Sequence, residues 1–302
     1  MSRCFLRRSA VVLVTLFAAV IVVVADYGTG RSGSAVRPMA SATTEIPEQV
    51  YVALGSSYAA GPNSDGPIER CQRSADNYPH QVAKALHMRL IDATCSGATT
   101  LNILDRPQRR LATTQIDAVT SDATLVTITT GGNDIDYIGR LVAMSCQTAR
   151  NEHLHAELPH SCVLRRRISP EPTPADYEKA ELTIAQTVLE VGLRAPRAKV
   201  VIVDYLPVVA AGGQSCSLLP LTPEQIAETS RIFDGLAAAT ARAAADTGAL
   251  LIQASRAGAS HSVCSSDPWL RGFRRPIPYH PNPAGKAGVA RLIVDALGTH
   301  AP

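Results

Sequence analysis

The sequence predicts an α/β protein, a three-layer α/β/α sandwich around a five-stranded parallel sheet. Five short runs of β-branched and other apolar residues are spaced along the chain, and helical patterns lie between most of them. Strands that alternate with helices form parallel sheets with helices on both faces and right-handed crossovers. The five predicted strands are Gln49–Leu54, Arg89–Ala93, Thr124–Thr129, Lys199–Asp204 and Ala249–Gln253.

Helices are predicted from apolar spacing and from helix-start signals. The clearest start is at Thr222, where a capping residue is followed by Pro223 and, three residues after the cap, by Gln225. No internal repeat and no second folded domain is evident. The stretch Met144–Pro174 shows no regular pattern, and we expect a substrate-facing loop there. The predicted helices are Tyr78–His87, Ala175–Leu193, Thr222–Asp246 and Gly285–Leu297.

The N-terminus has the pattern of an export signal. Basic residues at Arg3, Arg7 and Arg8 precede an apolar run that ends at Ala25. We expect residues 1–25 to be a cleaved signal peptide, with an uncleaved membrane anchor as the alternative. Residues 26–45 are rich in Gly, Ser, Ala and Thr, which predicts a flexible linker, and residues 46–302 then form the folded domain.

Composition narrows the possible functions. The formal net charge is +3, and 18% of the residues are charged, which gives no support to nucleic-acid binding. The chain has seven cysteines, of which Cys4 lies in the export signal. The other six form an even set without Cys-x-x-Cys spacing, which predicts disulfides rather than a zinc or redox motif. We therefore expect a secreted or cell-envelope, extracytoplasmic protein.

Three motifs together resemble the SGNH (GDSL) hydrolases, and most closely their secreted, disulfide-bonded bacterial lipases and esterases. Gly55-Ser56-Ser57-Tyr58 ends the first strand, Gly131-Gly132-Asn133-Asp134 follows the third, and His280-Pro281-Asn282-Pro283-Ala284-Gly285 precedes the last helix. The likeness extends from about Val50 to Leu297. It implies a flavodoxin-like fold and ester hydrolysis through an acyl-enzyme, without cofactor or metal.

The resemblance assigns Ser57 as the nucleophile, because it stands at the position of the family serine. Ser56 replaces the Asp of the Gly-Asp-Ser-Leu pattern, and on sequence alone it remains a rival nucleophile. The oxyanion hole implied by the family consists of the Ser57 and Gly97 backbone N–H groups and the Asn133 side chain.

His280 is the base that the resemblance implies, and His261 is a rival without a motif around it. Many family members carry an Asp three residues before the histidine, where this chain has Ile277. We expect a backbone carbonyl, of Ile277 or Pro278, to orient His280 instead. Asp267 is the alternative acid.

The resemblance also implies sequential disulfides, Cys71–Cys95, Cys146–Cys162 and Cys216–Cys264. The substrate is expected to be a small-molecule or lipid ester, and the protein a monomer whose N-terminus associates with membrane or cell wall if it is retained. Two other functions stay open: an acetyl esterase acting on carbohydrate, and a catalytically silent wall-associated binding protein. The hypothesis of a silent protein rests on Ser56 and Ile277, which stand where family members carry Asp.

Overall fold

A five-stranded parallel sheet forms the centre of the folded domain in the computed structural model. The strands are β1 (Val50–Gly55), β2 (Arg89–Asp92), β3 (Ala123–Thr129), β4 (Lys199–Val203) and β5 (Leu250–Ile252). Their order in the sheet is β2-β1-β3-β4-β5, and every pairing is parallel. This is the flavodoxin-like order, whose switch point lies between β1 and β3. The predicted fold class is confirmed.

The structure describes residues 48–63, 69–109, 111–151, 162, 167–274 and 277–298. The predicted export signal (1–25) and linker (26–45) lie outside the described residues. Within the described part of the chain, no helix combines the length and apolar character needed to cross a bilayer. The helices are α1 (Ser57–Ala60), α2 (Tyr78–Ala85), α3 (Thr100–Leu104), α4 (Tyr137–Asn151), α5 (Pro174–Arg194), α6 (Pro223–Thr247), α7 (Ala254–Ala257) and α8 (Pro283–Gly298).

Alternate residues of β1 pack into two different cores. Tyr51 and Ala53 belong to the core that includes α2 and α8, whereas Val52 and Leu54 belong to the core that includes α5. All six residues of β1 are buried. A strand covered on both faces has apolar or small residues throughout, which explains why the run is continuous rather than alternating.

The expectation of an irregular stretch from Met144 to Pro174 is wrong at its start. Helix α4 continues through Met144 and ends at Asn151, the last described residue before a gap. The face that it buries includes Ser145, Cys146 and Thr148 beside apolar residues. Such small and polar side chains interrupt the apolar period from which helices are predicted. Residues 152–161 and 163–166 lie outside the described residues.

Three disulfides join described cysteines in the sequential pairs that the family resemblance implies: Cys71–Cys95, Cys146–Cys162 and Cys216–Cys264. Cys95 follows β2, and its backbone N–H donates to the Gly55 carbonyl. The first disulfide therefore fastens residue 71 beside the carboxyl end of β1.

Candidate active site

A tight turn at the end of β1 places Ser57 at the carboxyl edge of the sheet. Gly55 adopts φ +145°, and a Cβ at this position would lie 2.5 Å from the carbonyl oxygen of Thr129 on β3. Only glycine fits this close approach. The Gln115 side chain holds the turn in place, because its Oε1 accepts from Gly55 N at 2.7 Å and its Nε2 donates to Gly55 O at 3.1 Å. Ser57 then begins α1.

His280 meets Ser57 from the segment that leads into α8. Its Nε2 lies 2.7 Å from the Ser57 Oγ. The following motif residues fix this approach: Asn282 Oδ1 accepts from Gly285 N at 2.9 Å, and Asn282 Nδ2 donates to the Pro268 carbonyl at 2.6 Å. A Cβ on Gly285 would lie only 2.1 Å from the Trp269 carbonyl, so a side chain there would push the helix away.

The other ring nitrogen of His280 is held by the backbone. Nδ1 lies 2.7 Å from the Pro278 carbonyl oxygen. A carbonyl only accepts hydrogen bonds, so Nδ1 carries the proton and Nε2 presents its lone pair to the Ser57 hydroxyl. Asp267 lies elsewhere: its side chain is 73% exposed, and its Oδ2 is 3.3 Å from Nδ1 of His261. The structure thus pairs Asp267 with His261, the weaker candidate base, and pairs His280 with a carbonyl.

A left-handed residue sets the direction of the His280 backbone. Tyr279 has φ +61°, which is uncommon for a residue with a side chain. Its carbonyl accepts from the Tyr58 hydroxyl at 2.8 Å, and its own hydroxyl lies 2.6 Å from the Ser145 Oγ. Buried contacts at both ends therefore hold the strained conformation, as is common beside active sites.

Burial lowers the pKa of His280 to about 4. Loss of solvent is the main cause, and the positive charges of Arg271 and Lys286 add to it, while the hydrogen bond to the Pro278 carbonyl opposes it. His280 is accordingly neutral at physiological pH, which is the state in which an imidazole accepts a proton.

Gly97 and Asn133 lie in the same region, after β2 and β3. Gly97 follows β2 with φ +84°, and Asn133 follows β3 with its Nδ2 donating to the Ala98 carbonyl at 2.8 Å. Together with Ser57 and His280 they line one cavity of about 220 Å³. The apolar part of its wall comes from Ile138, Val142 and Ile277.

The Ser56 hydroxyl is hydrogen-bonded inside the fold and does not reach the cavity. Ser56 is buried, and its Oγ lies 3.0 Å from the hydroxyl of Tyr205, which in turn accepts from Gly132 N at 3.1 Å. A Cβ on Gly132 would lie 2.7 Å from the Tyr205 ring, so this glycine is required by a close contact. The residue that replaces the family Asp thus ties the first motif to the second through a tyrosine.

The sequence analysis did not identify several residues that line the site or support it. Gln115, Tyr205 and Arg109 stand outside the three motifs, and no local pattern distinguishes them. Tyr58 belongs to the first motif, but the motif does not indicate that its hydroxyl donates to the carbonyl of Tyr279, the residue before His280. Among the described residues, no group of three or more His, Cys, Asp or Glu side chains is placed to hold a metal ion.

The chain is similar to known lipases and acylhydrolases over most of its length. The model of the GDSL-like lipase/acylhydrolase family matches residues 53–287. Lipase 2 of Streptomyces coelicolor is 32% identical over 265 residues, which cover 82% of this chain and 85% of that protein. A lipase of Streptomyces rimosus is 30% identical over 247 residues, covering 78% and 82% of the two chains.

Two solved structures share the fold over the same region. The extracellular lipase of Streptomyces rimosus superimposes with a TM-score of 0.63 at 28% identity, covering 84% of this chain and 100% of that one. Phospholipase A1 of Streptomyces albidoflavus gives 0.61 at 25% identity, with the same coverage. This chain belongs to the GDSL-like lipase/acylhydrolase (SGNH hydrolase) family and is a carboxylic ester hydrolase.

Proposed function

We propose that the protein hydrolyses carboxylic esters through an acyl-enzyme on Ser57. The Ser57 Oγ attacks the ester carbonyl while Nε2 of His280 takes its proton, and His280 then protonates the departing alcohol. Water, deprotonated by the same histidine, releases the acid and restores Ser57. The 2.7 Å contact between Ser57 Oγ and His280 Nε2 is the observation that carries this proposal.

The oxyanion formed in each step is held by the Ser57 and Gly97 backbone N–H groups and by the Asn133 side chain. The Asn133 amide has two N–H bonds, and the hydrogen bond to Ala98 uses one of them. The second is available to the oxyanion. Removing one such donor typically costs about 3 kcal/mol of transition-state stabilisation.

Orientation of the base comes from the Pro278 carbonyl. The protein therefore works as a Ser57–His280 dyad, without a side-chain acid. The contact of 2.7 Å at Nδ1 supports this, as does the pairing of Asp267 with His261.

The substrate that we propose is a lipid ester. Ile138, Val142 and Ile277 give the cavity an apolar wall against which an acyl chain can pack. The relatives in Streptomyces coelicolor and Streptomyces rimosus that bear the name lipase support the same substrate class.

We propose an extracytoplasmic location and a monomer. Residues 1–25 would direct export, as a cleaved signal or as a retained anchor to membrane or wall, residues 26–45 would form a linker, and residues 46–302 the catalytic domain. The three disulfides and the extracellular lipase among the similar structures support this location.

Hydrolysis of nitrophenyl esters from acetyl to palmitoyl tests the proposal. We expect turnover with a preference for the longer chains, abolished in Ser57→Ala, together with a phosphonate adduct on Ser57. Ser56→Ala is the matched control, because its hydroxyl faces Tyr205, and it should still be labelled.

Other results would redirect the assignment. A sharp preference for acetyl would indicate an esterase of acetylated carbohydrate. A well-folded protein with neither turnover nor adduct would be a silent scaffold, which contradicts the proposal.

A further inference from the structure

One cation lies on the wall of the active-site cavity. Arg109 lines this cavity together with Ser57, Gly97 and His280. Its Nη2 is 3.7 Å from the point that a Cβ on Gly97 would occupy. The guanidinium is therefore positioned over the glycine of the proposed oxyanion hole.

The side chain is fixed there by its neighbours. Arg109 Nη1 donates to the Arg70 carbonyl at 3.0 Å, and Gln108 Nε2 donates to the Ser96 carbonyl at 2.9 Å. The backbone of Arg109 has φ +51°, an uncommon conformation for a residue other than glycine.

The two segments to which this loop is bonded are themselves joined. The Cys71–Cys95 disulfide links them covalently, and Ser96 N donates to the Cys71 carbonyl at 3.0 Å. Residues 70–72, 95–97 and 108–109 thus form one rim that holds the charge beside the cavity.

Arg109 has no anionic partner within the described part of the protein. Other arginines form ion pairs, for example Arg73 with Glu69 and Arg194 with Glu190. None of the described residues that line the cavity carries a carboxylate. Among the described residues, the guanidinium of Arg109 donates one hydrogen bond, to the Arg70 carbonyl, and most of its N–H groups have no partner there. A guanidinium is well suited to bind carboxylate or phosphate through paired hydrogen bonds.

We propose that Arg109 forms an anion subsite, which makes the enzyme select esters bearing a phosphate or carboxylate a few bonds from the scissile carbonyl. This inference rests on the proposed function, since it concerns the same cavity. The subsite attracts the anion electrostatically and orients the ester through the planar guanidinium. Two sources of the anion are distinguishable: a phosphate on the alcohol portion, as in a glycerophospholipid, or a carboxylate on the acyl portion.

Two matched substrate pairs test the subsite. The alcohol-side pair is dihexanoyl glycerophosphate against dihexanoylglycerol, and the acyl-side pair is nitrophenyl hemisuccinate against nitrophenyl butyrate. For each pair we measure the ratio of kcat/KM for the anionic ester to kcat/KM for the neutral ester. Arg109→Gln should lower this ratio by about tenfold or more in at least one pair, as expected for loss of a charge-assisted contact.

Controls separate recognition from structure. Arg106→Gln removes an exposed arginine of the same loop that does not line the cavity, and its ratios should match those of the wild type. Arg109→Lys should retain part of the selectivity because the charge remains, and added salt should reduce the wild-type ratio, since Arg109 is exposed.

The inference is overturned if Arg109→Gln leaves both ratios unchanged, whether the rates stay constant or fall together. An equal fall on neutral and anionic esters would mean that the guanidinium stabilises the oxyanion or the fold. Wild-type turnover of the neutral esters reports separately on the proposed function, so that the two can fail independently.

Discussion

The pH dependence of kcat/KM tests how His280 is supported. Burial lowers its pKa to about 4 from the ordinary value of 6.5. This difference corresponds to about 3 kcal/mol against the imidazolium form. At pH 5, roughly 90% of a base with a pKa of 4 is neutral, whereas only about 3% is neutral at 6.5. We therefore expect the acid limb of the profile near pH 4, with nearly full activity at pH 5.

The assay is hydrolysis of a short nitrophenyl ester from pH 3.5 to 8, followed at the isosbestic wavelength of nitrophenol. kcat/KM reports the free enzyme, to which the structure corresponds. Asp267→Asn should leave the inflection where it is, because this carboxylate pairs with His261. An inflection near pH 6.5, or a shift of the inflection in Asp267→Asn, would refute the reasoning.

A carboxylate at the position of the family acid should move the same inflection. Ile277 lines the cavity with His280, and Ile277→Asp adds a negative charge beside an imidazole whose Nδ1 has a carbonyl as its partner. A nearby negative charge favours the imidazolium, so the pKa should rise toward its ordinary value. Ile277→Asn, which has nearly the same shape without the charge, is the matched control and should not raise it.

Two further predictions concern the fold around the site. Burial raises the pKa of Asp204 from 3.8 to about 6, although Ser255 donates two hydrogen bonds to its carboxylate. The folded state binds this proton at a higher pH than the unfolded state, so acidification from pH 6 to 4 stabilises the fold by about 2 kcal/mol through this group. Asp204→Asn lacks this contribution, so its stability should fall more steeply than that of the wild type as the pH is lowered from 6 to 4. Parallel curves of Tm against pH for the two proteins would contradict this. Tyr58→Phe leaves the buried Tyr279 carbonyl without its donor. The free energy of unfolding, measured in urea, should fall by about 1–3 kcal/mol, and kcat should fall because His280 is misplaced. An unchanged free energy of unfolding and an unchanged kcat would exclude this support.

The sheet was predictable because its strands carry a local signal. Every residue of β1 is buried, and a run buried on both faces must be apolar along its whole length. Helix α4 is not among the predicted helices, and in its second half Ser145 and Thr148 belong to the buried face, which interrupts the apolar period. Ser145 is there to meet the Tyr279 hydroxyl, a partner far away in the sequence. The local spacing of apolar residues does not indicate hydrogen bonds between residues that are far apart in the sequence.

The candidate site divides in the same way. Ser57, Asn133 and His280 stand in motifs, so the family resemblance predicts them from the sequence alone. The orientation of His280 stayed open among two carbonyls and Asp267, because it depends on backbone direction. The positive φ of Tyr279 sets that direction, and nothing in the local sequence indicates a left-handed tyrosine.

A neutral carbonyl in place of a carboxylate changes what the base can do. The Pro278 carbonyl fixes the tautomer of His280 but supplies no negative charge to the imidazolium, and the charges of Arg271 and Lys286 oppose it further. The base is therefore weak yet remains neutral in acid. Ile277→Asp should be the stronger base at neutral pH and the more protonated one at pH 5. We accordingly expect the two kcat/KM profiles to cross. If Ile277→Asp is slower at every pH while its inflection rises, then base strength does not limit the reaction, and the geometry imposed by the Pro278 carbonyl does.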